Sequence, residues 1–207
     1  MTPTKYRKTK LEESNNHQTE SNNQQADDSL DRYFCHRTNL MKRKEKMELN
    51  KSVEIKDFPV LQVAYLRHIG PYQGNEGLFE KLWNELFAWA GPRGLLEVKD
   101  FISIVVYHDD PNLTDDSKLR MSLCITVPEE TKVDGKIGRM EIDAGKYVVA
   151  RFELTAQDFG AAWQWVYGTW LPSSGYQPDD KPSFEIYPEE PKDGKFVVDI
   201  CVPVKPL

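Results

Sequence analysis

The chain has 207 residues, of which 39% are hydrophobic and 29% charged, a composition typical of soluble globular proteins. No apolar run approaches the roughly 20 residues of a membrane-spanning helix, and the polar start predicts no signal peptide. Residues up to Asn50 hold ten Lys/Arg against eight Asp/Glu, whereas the rest holds 17 against 25. The acidic remainder disfavours direct nucleic-acid binding and favours a cationic partner.

The three cysteines Cys35, Cys124 and Cys201 show neither a CxxC spacing nor a Cys/His cluster. This pattern predicts neither a disulfide framework nor a metal site, and a reducing cytoplasm suits it best. The sequence also lacks the glycine-rich phosphate loops of nucleotide-binding proteins and any convincing Ser/His/Asp or Cys/His spacing. We therefore expect no cofactor, no metal and no membrane association.

The first fifty residues differ in composition from the remainder. Residues 11–29 are nearly devoid of apolar side chains, so they cannot bury enough surface to offset the entropy lost on ordering. Basic residues between Arg32 and Lys46 favour a solvated linker helix over a nucleic-acid contact. The expected organisation is a disordered polar linker with a basic stretch over residues 11–52 and a folded domain over residues 53–207.

The folded domain begins with a strand, a helix and two further strands. A strand is expected from about Val60 to His68, followed by a GPYQG turn. Apolar residues at helical spacing then predict a helix from Leu78 to Ala90, ended by glycines and a proline. Strands are predicted at about 101–107 and 119–127, separated by a DDPNLTDD loop.

The same order of elements follows a second time. GKYVVARFEL reads as a strand, and Thr155 with Asp158 resembles a capping box that opens a helix extending to Tyr167. The segment from Gly168 to Gly175 is predicted to break this helix. FEIYP and KFVVDICVPV supply two final strands around a PEEPKDG turn.

Position-by-position matching indicates that the two halves are an internal repeat. A constant shift of 80 residues relates two sets, and a shift of 77 relates a third. The matched sets are Phe79, Trp83 and Phe87 with Phe159, Trp163 and Tyr167; Ser103, Tyr107 and Pro111 with Ser183, Tyr187 and Pro191; and Lys118, Cys124 and Val127 with Lys195, Cys201 and Val204. We predict an α+β fold of two tandem βαββ repeats, with antiparallel sheets and two helices flanking a central groove.

One residue breaks the repeat: Glu185 occupies the position of Val105. Strand alternation places Glu185 on one face with Tyr187, while the equivalent face of the first repeat is apolar. An enclosed carboxylate is unfavourable unless it is paired. Glu185 is therefore either exposed or paired with a Lys or Arg, or else it awaits a cationic or hydrogen-bond-donating ligand or acts as a general base.

Aromatic side chains recur around this position in both repeats. Each alone is explained by core packing, but together with one carboxylate they suit flat, apolar, cationic molecules through stacking and cation–π attraction. The predicted ligand-binding residues are Glu185, Tyr187, Phe79, Trp83, Phe159, Trp163, Trp170 and Tyr107.

Several segments resemble a known family. HIGPYQG, GKYVVARFEL, WVYGTWLPSSGYQ and FEIYPEEP with VDICVPV are similar to GyrI-like small-molecule-binding domains over roughly Val53 to Pro206. The resemblance implies two βαββ repeats facing a groove and a role as the effector-binding domain of transcription regulators. It also assigns the family's ligand-contacting glutamate, in an E-x-Y segment, to Glu185.

The first ten residues, MTPTKYRKTK, resemble the end of an AraC-type DNA-binding domain through Thr2, Pro3, Tyr6 and Arg7. This match predicts a remnant of such a domain over residues 1–10, with the two helix-turn-helix motifs missing. No direct DNA binding is expected from this chain alone.

Three functions remain open from the sequence. The first is an effector-binding domain that senses an amphipathic compound and catalyses no reaction; the most specific version of this hypothesis is that the compound is a cation. The second, implied by the resemblance, is a stand-alone hydrolase of cyclopropane-bearing compounds in which Glu185 activates water. The third is an interaction protein of the gyrase-inhibitor type, for which the sequence shows no dedicated feature.

Overall fold

The computed structural model describes residues 52–207; the predicted remnant and nearly all of the predicted linker lie outside this range. Within the described residues, nine strands and two α-helices follow each other in sequence. The strands are β1 Ser52–Phe58, β2 Leu61–Ile69, β3 Ser103–Tyr107, β4 Arg120–Thr126, β5 Ile137–Ile142, β6 Gly145–Thr155, β7 Tyr176–Pro178, β8 Ser183–Tyr187 and β9 Lys195–Pro206. The helices are α1 Glu76–Ala90, between β2 and β3, and α2 Phe159–Trp165, between β6 and β7.

Helix α1 has a defined start and a defined buried face. The Asn75 side chain accepts a hydrogen bond from the Leu78 N–H at 3.1 Å and so caps the first turn. Leu82, Leu86 and Ala90 repeat at intervals of four residues and are buried against the sheet. Gly94 adopts a left-handed conformation just after the helix, where glycine carries no steric penalty.

Eight strands form one antiparallel path in the order β1-β6-β9-β8-β3-β4-β2-β5, and β7 pairs with β9. Only Pro59 and Val60 join β1 to β2, six positions apart in this path. Six flat inter-strand spacings would measure about 29 Å. Three peptide units reach at most about 11 Å. The sheet must therefore curl, bringing its two ends together.

Ring contacts on the concave face agree with this curl. Phe58 of β1 and Phe184 of β8 lie three positions apart in the path, yet their ring centroids are 5.9 Å apart. Tyr147 of β6 packs on both rings, at 5.4 and 5.1 Å. The concave core is completed by Val63, Ile104, Val106, Cys124, Ile142, Val149, Ile186 and Cys201.

The two helices cover the other face of the sheet. Helix α1 packs on a core formed with β2, β3 and β4, and α2 packs on a core formed with β6 and β9. Because strand side chains alternate, each central strand contributes to both the concave core and a helix-covered core. The predicted α+β architecture of two repeats with an antiparallel sheet and two helices is confirmed.

The repeats meet where β3 pairs with β8. Val105 lies opposite Glu185, Ser103 opposite Tyr187, and Tyr107 opposite Ser183. Residues related by the shift of 80 therefore lie symmetrically about the Val105–Glu185 pair. The carboxylate that breaks the repeat consequently lies at the centre of its pseudo-twofold symmetry.

Three strands, β1, β5 and β7, were not anticipated from the sequence. In β1 the half-buried Val53 and Ile55 alternate with the exposed Glu54 and Lys56, so the strand buries little apolar surface and its pattern is weak. Strand β5 contains Gly138, and only its end residues, Ile137 and Ile142, are buried. Strands β1 and β5 are the outermost strands of the sheet, where fewer side chains are buried and the apolar pattern in the sequence is therefore weak.

The second helix differs from the prediction at both ends. It begins after Asp158, whose carboxylate accepts hydrogen bonds from the Thr155 N–H and hydroxyl rather than capping the helix itself. Gly168 does not break it, because a π-helical turn continues over Val166–Trp170 and a 3-10 turn over Leu171–Ser173. The Leu171 N–H donates to the Val166 carbonyl, so the wider turn keeps these backbone groups paired.

Candidate functional site

Glu185 lies in the middle of β8 and is only 1% exposed. Its strand neighbours Phe184 and Ile186 face the concave core, so the Glu185 side chain faces the helices. The expectation of an enclosed carboxylate at this position agrees with the geometry, whereas the alternative of an exposed carboxylate does not.

Three neutral donors hold the carboxylate. The hydroxyls of Tyr107 and Tyr187 donate to Oε2 at 2.8 and 2.7 Å, and the Trp163 indole N–H donates to Oε1 at 2.5 Å. Tyr107 and Tyr187 are equivalent residues of the two repeats, which explains why they converge on the symmetry centre. A carboxylate oxygen has two lone pairs, so Oε1 retains acceptor capacity for one further donor.

Burial dominates the electrostatics of the site. Removal from water raises the pKa of Glu185, although the hydrogen bonds from Tyr187, Trp163 and Tyr107 act in the opposite direction. The pKa values of Tyr107 and Tyr187 are also raised well above their usual range, first by burial and then by the Glu185 charge. Both tyrosines are therefore protonated donors at neutral pH.

Asp199 of β9 provides an internal comparison. It is the other buried carboxylate of the described chain, 5% exposed, and it lies on the concave face. Arg151 donates to both of its oxygens at 2.6 Å, forming a bidentate ion pair. Within residues 52–207 the hydrogen bonds to Glu185 come from neutral groups alone. In the described part of the chain, Asp199 is thus neutralised by an arginine and Glu185 is not.

Aromatic pairs flank Glu185 on both sides with the same pseudo-symmetry. Trp83 stacks on Phe87 with centroids 5.2 Å apart, and the equivalent Trp163 stacks on Tyr167 at 6.1 Å. Trp83 also meets Tyr187 edge-on at 6.4 Å, as Trp163 meets Tyr107 at 5.6 Å. Val105 stands in the first repeat at the position that Glu185 holds in the second, so the aromatic pairs are symmetric while the carboxylate is not.

The eight predicted residues are not equally close to the carboxylate. Tyr107, Tyr187 and Trp163 contact Glu185, while Trp83 and Phe159 each contact the Tyr187 ring. Phe79 packs against the core under α1 and Trp170 against the core under α2. For those two residues the described part of the chain shows core packing and no ring contact with the group around Glu185.

Sequence reasoning missed Tyr72 as part of this group. Its ring lies 5.6 Å from that of Tyr107, and it is 5% exposed. Burial, followed by the Glu185 charge, raises the pKa of Tyr72 to about 12. Its position in the GPYQG turn concealed it, because turn tyrosines are commonly solvated; the phrase HIGPYQG was nevertheless part of the family resemblance.

The donor set of the site does not suit a metal ion. Among residues 52–207 no group of three or more His, Cys, Asp or Glu side chains is arranged to hold one. No helix in that range is both long and apolar enough to span a bilayer.

Comparison with known proteins identifies the family. Residues 51–205 match the family model of the GyrI-like small molecule binding domain. The chain belongs to this GyrI-like family. Proteins named DNA gyrase inhibitor from Escherichia coli strain K12 and from Shigella boydii are each 30% identical to it over 157 residues, which covers 74% of this chain and 96% of theirs.

Solved structures share the GyrI-like fold at low identity. The C-terminal domain of EcmrR matches with a TM-score of 0.58 and 17% identity, covering 76% of this chain and 99% of that domain. In the EcmrR–DNA complex the TM-score is 0.65 at 18% identity, and the match covers 84% of this chain but only 65% of the longer EcmrR chain. SAV2435 bound to tetraphenylphosphonium matches with a TM-score of 0.51 and 12% identity, over 74% of this chain and 94% of that one.

Proposed function

We propose that this GyrI-like domain binds an amphipathic organic cation in the aromatic groove around Glu185, and that it does so as the effector-binding domain of a transcription regulator. The observation that carries this proposal is the contrast between the two buried carboxylates. Asp199 has its own arginine, whereas the partners of Glu185 in residues 52–207 are neutral. A bound cation would supply the missing positive charge.

The groove suits a cation of low hydration. Indole and phenol rings attract positive charge through their faces, and this attraction strengthens where water is excluded. Trp83 and Trp163 are half-buried, so part of each residue is accessible to solvent, whereas Glu185 is enclosed. A compact, strongly hydrated cation would lose its water without compensation, which favours a ligand with delocalised charge and an apolar body.

The regulator assignment has its own support, separate from that of the ligand-binding role. The resemblance of residues 1–10 to the end of an AraC-type DNA-binding domain falls outside the described residues. EcmrR is a DNA-binding neighbour in fold alone. The ligand-binding role does not depend on this assignment, and an in-frame helix-turn-helix coding sequence directly upstream of the start codon would support it.

Titration with tetraphenylphosphonium tests the proposal. Trp163 touches the carboxylate, so tryptophan fluorescence should report binding directly. Glu185→Gln keeps the size of the side chain but removes its charge, and we expect it to weaken binding by about tenfold or more, equivalent to about 1.4 kcal/mol. Glu189→Gln is the matched control, because Glu189 is exposed and already paired with Lys192; it should bind as the wild type does.

The same titration defines the contrary result. Equal affinity in the wild type and in Glu185→Gln would remove Glu185 from the binding site. An equal loss in Glu185→Gln and Glu189→Gln would attribute the effect to net charge rather than to the groove.

Hydrolysis is a second candidate because of the raised pKa of Glu185. A carboxylate of raised basicity, flanked by two tyrosine hydroxyls, is able to take a proton from a water molecule. Incubation with cyclopropane-bearing electrophiles, followed by chromatography, tests this role. Product formed by the wild type and lost in Glu185→Gln would favour the hydrolase over the sensor.

The names of the curated relatives motivate a third candidate, inhibition of DNA gyrase. A supercoiling assay with purified gyrase and the full chain tests it. Loss of supercoiling activity at stoichiometric amounts of this protein would support that role, and unaffected supercoiling would dismiss it.

A further inference from the structure

The concave face of the sheet carries a second departure from the repeat. Arg67 of β2 lies opposite Ser122 of β4, and Arg151 of β6 lies opposite Asp199 of β9. Ser122 and Asp199 are themselves equivalent, since the shift of 77 residues that relates Cys124 to Cys201 also relates these two. The first repeat therefore places a hydroxyl where the second places a carboxylate.

The two arginines consequently have different partners. Arg151 uses Nε and one terminal nitrogen to clamp both oxygens of Asp199. The Nε of Arg67 instead donates to the Ser122 hydroxyl at 3.2 Å, and one of its terminal nitrogens lies 3.4 Å from His108 Nε2. Its guanidinium also lies over the Tyr65 ring, 4.8 Å from the centroid. Within residues 52–207 Arg67 forms no ion pair, and its side chain is exposed.

The surroundings of His108 also carry an excess of positive charge. Burial, and then Arg67 and Arg120, lower the pKa of His108 to about 4, so its imidazole is neutral at physiological pH. The Ser122 hydroxyl lies 2.9 Å from His108 Nε2, and the imidazole tautomer decides which of the two atoms donates. Asp109 neutralises Arg120 through two hydrogen bonds to its guanidinium. Among residues 52–207, the positive charge of Arg67 therefore remains without a counter-charge.

We propose that Arg67, with Ser122 and His108, forms a binding site for the carboxylate group of a small organic acid. The ligand carboxylate would pair with Arg67 in the first repeat as Asp199 pairs with Arg151 in the second. The Arg151–Asp199 pair shows the geometry expected for this interaction, because a planar guanidinium group binds a carboxylate through two parallel hydrogen bonds. This site is on the face of the sheet opposite Glu185, so it is independent of the cation groove.

Acetate is the simplest probe, and His108 is the reporter. The full chain is titrated with sodium acetate, which replaces sodium chloride so that the ionic strength stays constant. The His108 ring signals are followed by NMR. We expect a saturable shift with a half-saturation at about 10 mM, which corresponds to roughly 3 kcal/mol of binding free energy. Arg67→Gln should raise the half-saturation by about tenfold or more.

Ser122→Asp makes the test specific to the broken repeat. The new carboxylate would pair with Arg67 as Asp199 pairs with Arg151, so the acetate response of His108 should disappear. Arg93→Gln is the control, because Arg93 is an arginine already paired with Asp134, and it should leave the response unchanged. A shift that rises linearly without saturation, or one that persists in both Arg67→Gln and Ser122→Asp, would overturn the proposal.

Discussion

Replacement of Glu185 by glutamine is expected to make the protein more stable at neutral pH, by about 1–3 kcal/mol in the free energy of unfolding. The carboxylate is enclosed and without a cation in the described chain, so its charge opposes folding. A glutamine amide of the same shape can still accept from the Trp163 N–H and can donate to the tyrosine oxygens. Urea denaturation of both proteins measures the difference.

The stability gain should depend on pH with a defined sign. The pKa of Glu185 is raised in the folded state, so the protonated form is favoured by folding. The wild type should match the glutamine variant below the unfolded-state pKa, and lose stability relative to it as the pH rises through the higher folded-state pKa. Above that point the difference should become constant.

Asp199→Asn should behave in the opposite way. This carboxylate is paired with Arg151, so its removal is expected to lower the free energy of unfolding by about 1–3 kcal/mol at neutral pH. If both carboxylate-to-amide changes were destabilising to the same extent, Glu185 would be a structural residue like Asp199. A residue that is unfavourable for folding and needed for binding is typical of a functional site.

Phe184→Ala is expected to have the largest effect on stability, a loss of about 3–5 kcal/mol in the free energy of unfolding. Phe184 is fully buried and contacts Phe58 of β1 and Tyr147 of β6 across the concave face. Its removal leaves a cavity at the point where the curled sheet closes on itself. Guanidinium denaturation provides the measurement.

Phe196→Ala is the control for this core substitution. Phe196 is half-buried on β9 and its ring contact is with Phe159, 5.5 Å away on the helix-covered side. We expect it to lower the free energy of unfolding by less than about 2 kcal/mol. An equal loss in the two variants would show that the concave core contributes no special stability.

The central elements of the fold were predictable because they carry strong patterns. The α1 periodicity through Leu82 and Leu86 predicted a helix, and three collinear sets of matched residues predicted the repeat. The edge strands β1 and β5 escaped prediction because β1 has no buried residue and β5 has buried residues only at its two ends, so neither carries a strong apolar alternation. The curl of the sheet depends on the strand order, which no local pattern contains.

The site was predictable in its centre but not in its details. The Val105-to-Glu185 exchange pointed to the carboxylate, and strand alternation placed Tyr187 on the same face. The pairing of β3 with β8, which brings Tyr107 to the same oxygen as Tyr187, is a long-range contact that only the folded chain displays. Phe79 and Trp170 matched the aromatic pattern because core packing and ligand binding select the same residue types.

Stabilisation by tetraphenylphosphonium in the wild type and in Glu185→Gln is the most direct test of the cation groove. At a ligand concentration of about one hundred times the wild-type dissociation constant, the wild type should gain about 2.7 kcal/mol of unfolding free energy. A variant with tenfold weaker affinity should gain only about 1.4 kcal/mol at the same concentration. Equal gains in the two proteins would contradict the assignment of Glu185 as the residue that binds the cation.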